Sequence, residues 1–171
     1  MYRLTDAFPY LLNRVGVRMG ELFSRKLDPY GVTLPMYRVM AALREKGDRR
    51  LGELGQVTSI ELSTLSRLVG TMTRKGLVSR TRPDANARTL EINLTAKGRE
   101  LVEDLIPLAV LHEEVGLRSF GPGQVAKLKR DLIKVYENLA ELEEAPSEWS
   151  DRPPPSMSTP WPKSRKKSAT Y

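Results

Sequence analysis

The chain has 171 residues, 40% of them hydrophobic and 6% aromatic, with a formal net charge of +7 and a pI near 9.8. That length suits one ordinary domain, or a small domain with appendages, and the lean apolar content suits a helical protein that covers part of its surface with a partner. Cysteine is absent, which excludes disulfides, Cys-ligated zinc and thiol redox sensing, while the basic excess points to a polyanion, either nucleic acid or an anionic membrane surface.

The opening stretch MYRLTDAFPYLLNRV lacks the uninterrupted apolar run of a secretory signal. No later segment approaches the roughly 18 apolar residues of a membrane span, so a cytoplasmic location without membrane attachment is expected. Thr5 or Asp6 can cap a first helix with Pro9 in its opening turn. Leu11, Leu12, Val15, Met19, Leu22, Phe23 and Leu27 recur there at helical spacing until DPYG, from Asp28, stops the helix. A second helix is expected from Thr33 through Tyr37, Val39, Met40 and Leu43 to Lys46, with Pro35 in its first turn. A short third helix spans Leu51 to Val57, a polar bend follows at Thr58 and Ser59, and a fourth helix runs from about Glu61 to Lys75 with Gly76 as its C-terminal stop. LVSRT and RTLEINL then read as two short strands, with Val78 before the turn and Leu90, Ile92 and Leu94 after it. Thr95 can cap the next helix, which Pro107 is expected to bend by removing one amide donor.

FGPG at Phe120 is a break, and Pro122 suits the first position of the last helix. Val125, Leu128, Leu132, Val135, Leu139 and Leu142 alternate there at spacings of three and four, the a/d seam of a coiled-coil-like contact. Such a stripe can pack on its own domain; its regularity on a lean chain favours dimerisation. From Pro146 the composition changes, with six of the 12 prolines and the basic run KSRKKS, and 146–171 reads as a non-helical extension that adds DNA affinity or merely solubility.

The order of helix, short helix, bend, helix and two-stranded hairpin is that of a winged helix-turn-helix, so the fold class is mainly α with a small β-hairpin wing. The second helix of such a pair enters the major groove, and the hairpin follows phosphates beside it. Between Leu62 and Leu90 stand Arg67, Arg74, Lys75, Arg80, Arg82 and Arg88 against a single acid, Asp84, a net +5 in about one sixth of the chain. An ordinary solvated face would interleave acids; this concentration is the electrostatic footprint of a DNA-binding surface.

The stretch LGELGQVTSIELSTLSRLVGTMTRKGLVSRTRPDANARTLEINLTAKG resembles the core of the MarR family of bacterial transcriptional regulators, with STLSRLV, KGLVSR and LTAKG carrying most of the likeness. The likeness extends over roughly Leu4 to Glu144. It implies a triangular homodimer, held by its first and last two helices, whose winged lobes read a pseudo-palindromic double-stranded operator. By position it implies DNA contacts from Ser63, Thr64, Ser66 and Arg67, with Arg74 and Arg80 nearby and Arg82 and Arg88 in the wing. Two departures stand out. Asn86 and Ala87 replace the wing Asp and a second arginine common in the family, and Thr71 occupies a helix position often held by arginine. The domains implied are 1–30, part of the dimerisation region; 31–94, the winged lobe; 95–145, the C-terminal dimerisation helices; and 146–171, the basic tail.

Catalytic signals are weak. His112 is the only histidine, and no phosphate loop, His-based zinc motif or nucleophile elbow occurs, so neither an enzyme nor a metal or cofactor is expected. NLT at Asn93 is a chance sequon in a strand. The resemblance implies a small aromatic or anionic effector, an acid or its thioester, where the dimerisation helices meet the winged lobe. Arg14, Arg18, Tyr37, Arg38 and His112 are the candidates, although each arginine could equally pair with an acid at a dimer surface. The reading is a ligand-responsive homodimeric repressor; its rival is a winged-helix protein-interaction module that binds no operator.

Overall fold

The computed structural model describes residues 3–82 and 91–144, with side chains to residue 140. Expectations for Asn86, Ala87, Arg88, Leu90, the Leu142 side chain and the 146–171 tail lie outside the described residues.

The elements run α1 (Phe8–Leu27), α2 (Leu34–Lys46), β1 (Arg49–Arg50), α3 (Leu51–Thr58), α4 (Leu62–Arg74), β2 (Val78–Thr81), β3 (Glu91–Leu94), α5 (Ala96–Leu117) and α6 (Pro122–Glu144). Mainly helical, with a small antiparallel sheet of order β1-β3-β2, they form the winged helix-turn-helix arrangement expected from the element order. The described residues fall into two compact units that divide after Arg118, the second containing α6.

Local chemistry sets the boundaries. Thr33 caps α2 by accepting from the Met36 amide, and Thr95 caps α5 by accepting from Gly98 N at 3.0 Å. The α1 cap is different: Ala7 holds that position without a side-chain hydrogen bond, while Thr5 and Asp6 lie in a preceding 3-10 turn, Leu4–Asp6. Neither Thr5 nor Asp6 is the cap because that turn places both before the helix axis begins. At the other end, Asp28–Tyr30 tighten into a 3-10 turn and Gly31 adopts φ 65°, so DPYG does stop the helix. The α3–α4 bend centres on Ser59, at φ 53°. Thr58 remains inside α3, buried, its hydroxyl donating to the Leu54 carbonyl at 2.6 Å. Helix α5 continues through Pro107, which is exposed.

The core of the first unit gathers Leu27 and Phe23 from α1, Val39 and Met40 from α2, Leu54 from α3 and Leu65, Val69 and Met72 from α4. Val78 and Ile92 close it from the sheet, and Val102 and Leu105 from α5. In α4 the buried positions fall at i, i+4 and i+7, one stripe of a 3.6-residue helix, which leaves the opposite stripe to solvent. Strand β2 pairs with β3 in the register Val78↔Leu94 and Arg80↔Ile92. Strand β1 adds Arg49↔Ile92 to the other edge. Two residues are too few to show alternation, so β1 has no signature in the sequence.

Candidate nucleic-acid interface

The face of α4 opposite the core carries Ser63, Ser66, Arg67, Gly70 and Arg74, spaced by three and four so that they share one side of the helix. Thr64 sits at the same N-terminal end and is also exposed. Arg80 reaches this face from β2, its guanidinium 3.4 Å from the Ser66 carbonyl. A Cβ on Gly70 would lie 3.8 Å from Arg80 Nη2 and 3.9 Å from Arg74 Nη1, so the two guanidinium groups flank that bare stretch of helix. Arg74 also donates to Thr71 Oγ1 at 3.0 Å, and Thr71 donates to the Arg67 carbonyl at 3.2 Å. The threonine that stands where an arginine is often found therefore orients the next arginine along.

Arg67, Arg74, Arg80 and Arg82 are exposed, and none forms an ion pair with an acid among the described residues. Exposed guanidinium groups without acidic partners repel each other and attract phosphate. Lys75 is diverted: its ammonium donates to the Gly31 carbonyl at 2.8 Å, fastening α4 to the α1–α2 turn instead of facing outward.

The N-terminus of α4 holds a group the sequence did not single out. Glu61 is the N-cap, accepting from the Ser63 and Thr64 amides at 2.9 and 3.0 Å and from the Ser63 hydroxyl. The Ser63 hydroxyl, then the two amides, hold its carboxyl down to about 2 from the ordinary 4.5. Glutamate is not among the residues favoured as N-caps, which is why only coordinates expose the role.

The segments KGLVSR and LTAKG form a structural joint beside this face. Gly76, at φ 70°, ends α4 in a Schellman motif, with Gly76 N bonded to the Thr73 carbonyl and Leu77 N to the Met72 carbonyl, both at 2.9 Å. The Thr95 hydroxyl donates to the Gly76 carbonyl at 2.6 Å, and Lys97 donates to the Lys75 carbonyl at 3.1 Å. The start of α5 thereby locks onto the turn that aims β2 and Arg80. In β3, Asn93 links the strands: its Oδ1 accepts from Thr81 Oγ1 at 2.5 Å in the orientation that also turns Nδ2 toward the Asp48 carboxylate, 2.7 Å from Oδ2.

Of the effector candidates, the fold brings two together. Phe23 lies between them, its ring edge-on to Tyr37 at 5.0 Å and stacked on His112 at 5.4 Å. His112 Nε2 is 3.0 Å from the Met19 carbonyl, an acceptor, so that nitrogen carries the proton. Burial pushes the Tyr37 hydroxyl pKa up. The arginines stand apart from these rings. Arg14 lies over the Tyr10 ring at 5.6 Å, Arg18 pairs with Glu21 at 3.9 Å, and Arg38 is exposed on α2. An open groove of about 640 Å³ along α1 takes in Arg14, Arg18 and Met19.

The stripe expected along α6 is graded. Val125, Leu132 and Val135 are half-buried, whereas Leu128 and Leu139 are exposed, together with Ile133 and Tyr136 off that stripe. No helix among the described residues is long and apolar enough to cross a membrane.

Residues 21–105 match the SarA/Rot family of transcriptional regulators. The HTH-type transcriptional repressor Rv2887 of Mycobacterium tuberculosis is 30% identical over 102 residues, 58% of this chain and 73% of that protein. A MarR family transcriptional regulator from Silicibacter pomeroyi is 27% identical in sequence and superposes with a TM-score of 0.71, over 80% of this chain and 92% of that one. BpsR of Bordetella bronchiseptica shares the fold at 23% identity with a TM-score of 0.73, over 80% of this chain and 97% of that one. An outward α4 stripe, a β2–β3 hairpin beside it and these relatives converge: the chain belongs to the MarR family of winged helix-turn-helix transcriptional regulators.

Proposed function

We propose that this regulator is a homodimeric repressor that reads a pseudo-palindromic operator through α4 and the wing, and that a small aromatic or anionic acid releases it. The observation that carries the DNA reading is the α4 face, where Arg67, Arg74 and Arg80 surround Ser66 and Gly70 with no acid paired to them among the described residues. Ser63, Thr64 and Ser66 meet base edges or nearby phosphates in this reading, Arg67 makes the strong polar contact, and Arg82 and Arg88 serve the wing.

For the effector, the supporting observation is the Phe23–Tyr37–His112 ring cluster, adjoining the α1 groove at Met19. Rings supply stacking, and Arg14 or Arg18, which line the adjoining groove, supplies charge, the combination an aromatic carboxylate requires. DNA binding by BpsR is regulated by 6-hydroxynicotinic acid, a compound of that class. A bound acid shifts the population toward a spacing of recognition helices that no longer matches major grooves about 34 Å apart.

The test selects bound duplexes from random DNA and then titrates the enriched operator with aromatic acids, beginning with 6-hydroxynicotinic acid. A palindromic operator released by at least one acid is the expected result. Enrichment without release by any acid leaves a constitutive regulator. No salt-dependent enrichment at all returns the fold to a protein-interaction role.

A further inference from the structure

The first turn of α4 is closed from within the chain. Glu61 Oε1 accepts from Ser63 N at 2.9 Å, Oε2 accepts from Thr64 N at 3.0 Å, and the Ser63 hydroxyl also donates to Oε2. An open helix N-terminus offers such amides to phosphate. Here both are taken, and a negative charge stands over them.

The consequence for Ser63 follows from counting protons. A hydroxyl has one hydrogen to give, and an ionised carboxylate has none. The proton between the two oxygens is therefore the serine's own, and it points at Glu61. Toward any other partner, Ser63 Oγ can only accept. In the major groove the bases supply donors from just two groups, the N6 amine of adenine and the N4 amine of cytosine; guanine and thymine present acceptors.

We propose that Glu61 is a specificity-determining residue: by committing the Ser63 proton, it makes the start of α4 select an adenine or cytosine amine at one base pair of each half-site, and refuse phosphate and the guanine and thymine oxygens there. The proposal rests on the operator reading above. The same three hydrogen bonds keep Glu61 ionised at neutral pH, so the hydroxyl stays oriented in the working protein.

Selection from random duplexes, run in parallel on the wild type, Glu61→Gln and Ser63→Ala, tests it. In the wild type one base pair per half-site favours A or C over G or T by about tenfold, the worth of one hydrogen bond gained against two acceptors opposed. Both variants reduce that preference to about twofold or less at the same base pair, leave the other positions intact, and Glu61→Gln binds random DNA more tightly at low salt. Ser63→Ala removes an exposed hydroxyl and leaves both backbone amides on Glu61, so it keeps the fold even if Glu61→Gln loosens the helix; a thermal melt checks both. Unchanged base preferences in Ser63→Ala, or changes at different base pairs in two folded variants, overturn the proposal while the operator reading stands. A wild type that enriches no sequence overturns both.

Discussion

Glu61 also has a measurable part in stability, separable from its part in recognition. A glutamate that caps its own helix must fold its side chain back, giving up rotamer freedom that a serine or aspartate cap would keep. Three hydrogen bonds to the charged form offset that cost and hold the carboxyl at about 2, below its ordinary 4.5. The folded pKa is the lower one, so the contribution is complete above the ordinary value and disappears as pH falls through about 2. Wild type should therefore melt above Glu61→Gln at neutral pH, with the gap narrowing below pH 4.5 and closing near pH 2. Circular-dichroism melts across that range measure it. A gap that persists at the acid end would show that the carboxylate charge is not the stabilising feature.

The joint between α4, β2 and α5 shows how a functional aim is held by residues that touch no ligand. An ideal Cβ on Gly98 would stand 1.9 Å from the Leu77 carbonyl oxygen, a backbone atom that cannot swing aside. Gly98→Ala must push α5 off the turn that positions Arg80, at about 3 kcal/mol of stability. Thr95→Ala, losing a cap and a bond to the Gly76 carbonyl, costs about 1 kcal/mol. Urea unfolding of the two variants, read as midpoints at constant slope, checks the order; a Gly98→Ala protein as stable as wild type would mean the helix can recede freely. Here the limits of reading the chain alone become physical. Thr33, Thr95, Gly76, Pro122 and the DPYG stop were legible because caps and turns act within four residues of themselves. The arginine concentration was legible because charge needs no coordinates to be counted. Thr5 and Asp6 were misplaced as caps because an extra 3-10 turn moves the helix start past them. Glu61 as a cap, Gly98 as a close-approach site and Arg49–Arg50 as a strand depend on what lies opposite them in space. No local pattern records that.

At the scale of the molecule, the first unit exposes apolar side chains on α1 and α5 among the described residues. The α1 stripe is divided: Phe23 and Leu27 enter the core, while Leu11, Leu12 and Val15 remain 46%, 44% and 56% exposed. Val110, Leu111 and Val115 near the end of α5 are exposed to a similar degree. Separate apolar side chains on a surface are ordinary, but a row of them continuing a helix stripe calls for a partner. In the homodimer proposed above that partner is a second copy, and the same contact fixes the distance between two α4 helices. Placing a charge in the row should therefore act on operator binding from a distance. Val15→Asp buries an unpaired carboxylate in the dimer contact while leaving the core of each lobe untouched, since Val15 is not part of it. The expected outcome is a folded monomer by sedimentation and an operator affinity at least about 100-fold weaker, because the second half-site no longer binds as a tethered event. Affinity for an isolated half-site should change less than about threefold, since the α4 face is intact. A Val15→Asp protein that stays dimeric and holds the full operator as tightly as wild type would place the assembly contact on some other surface.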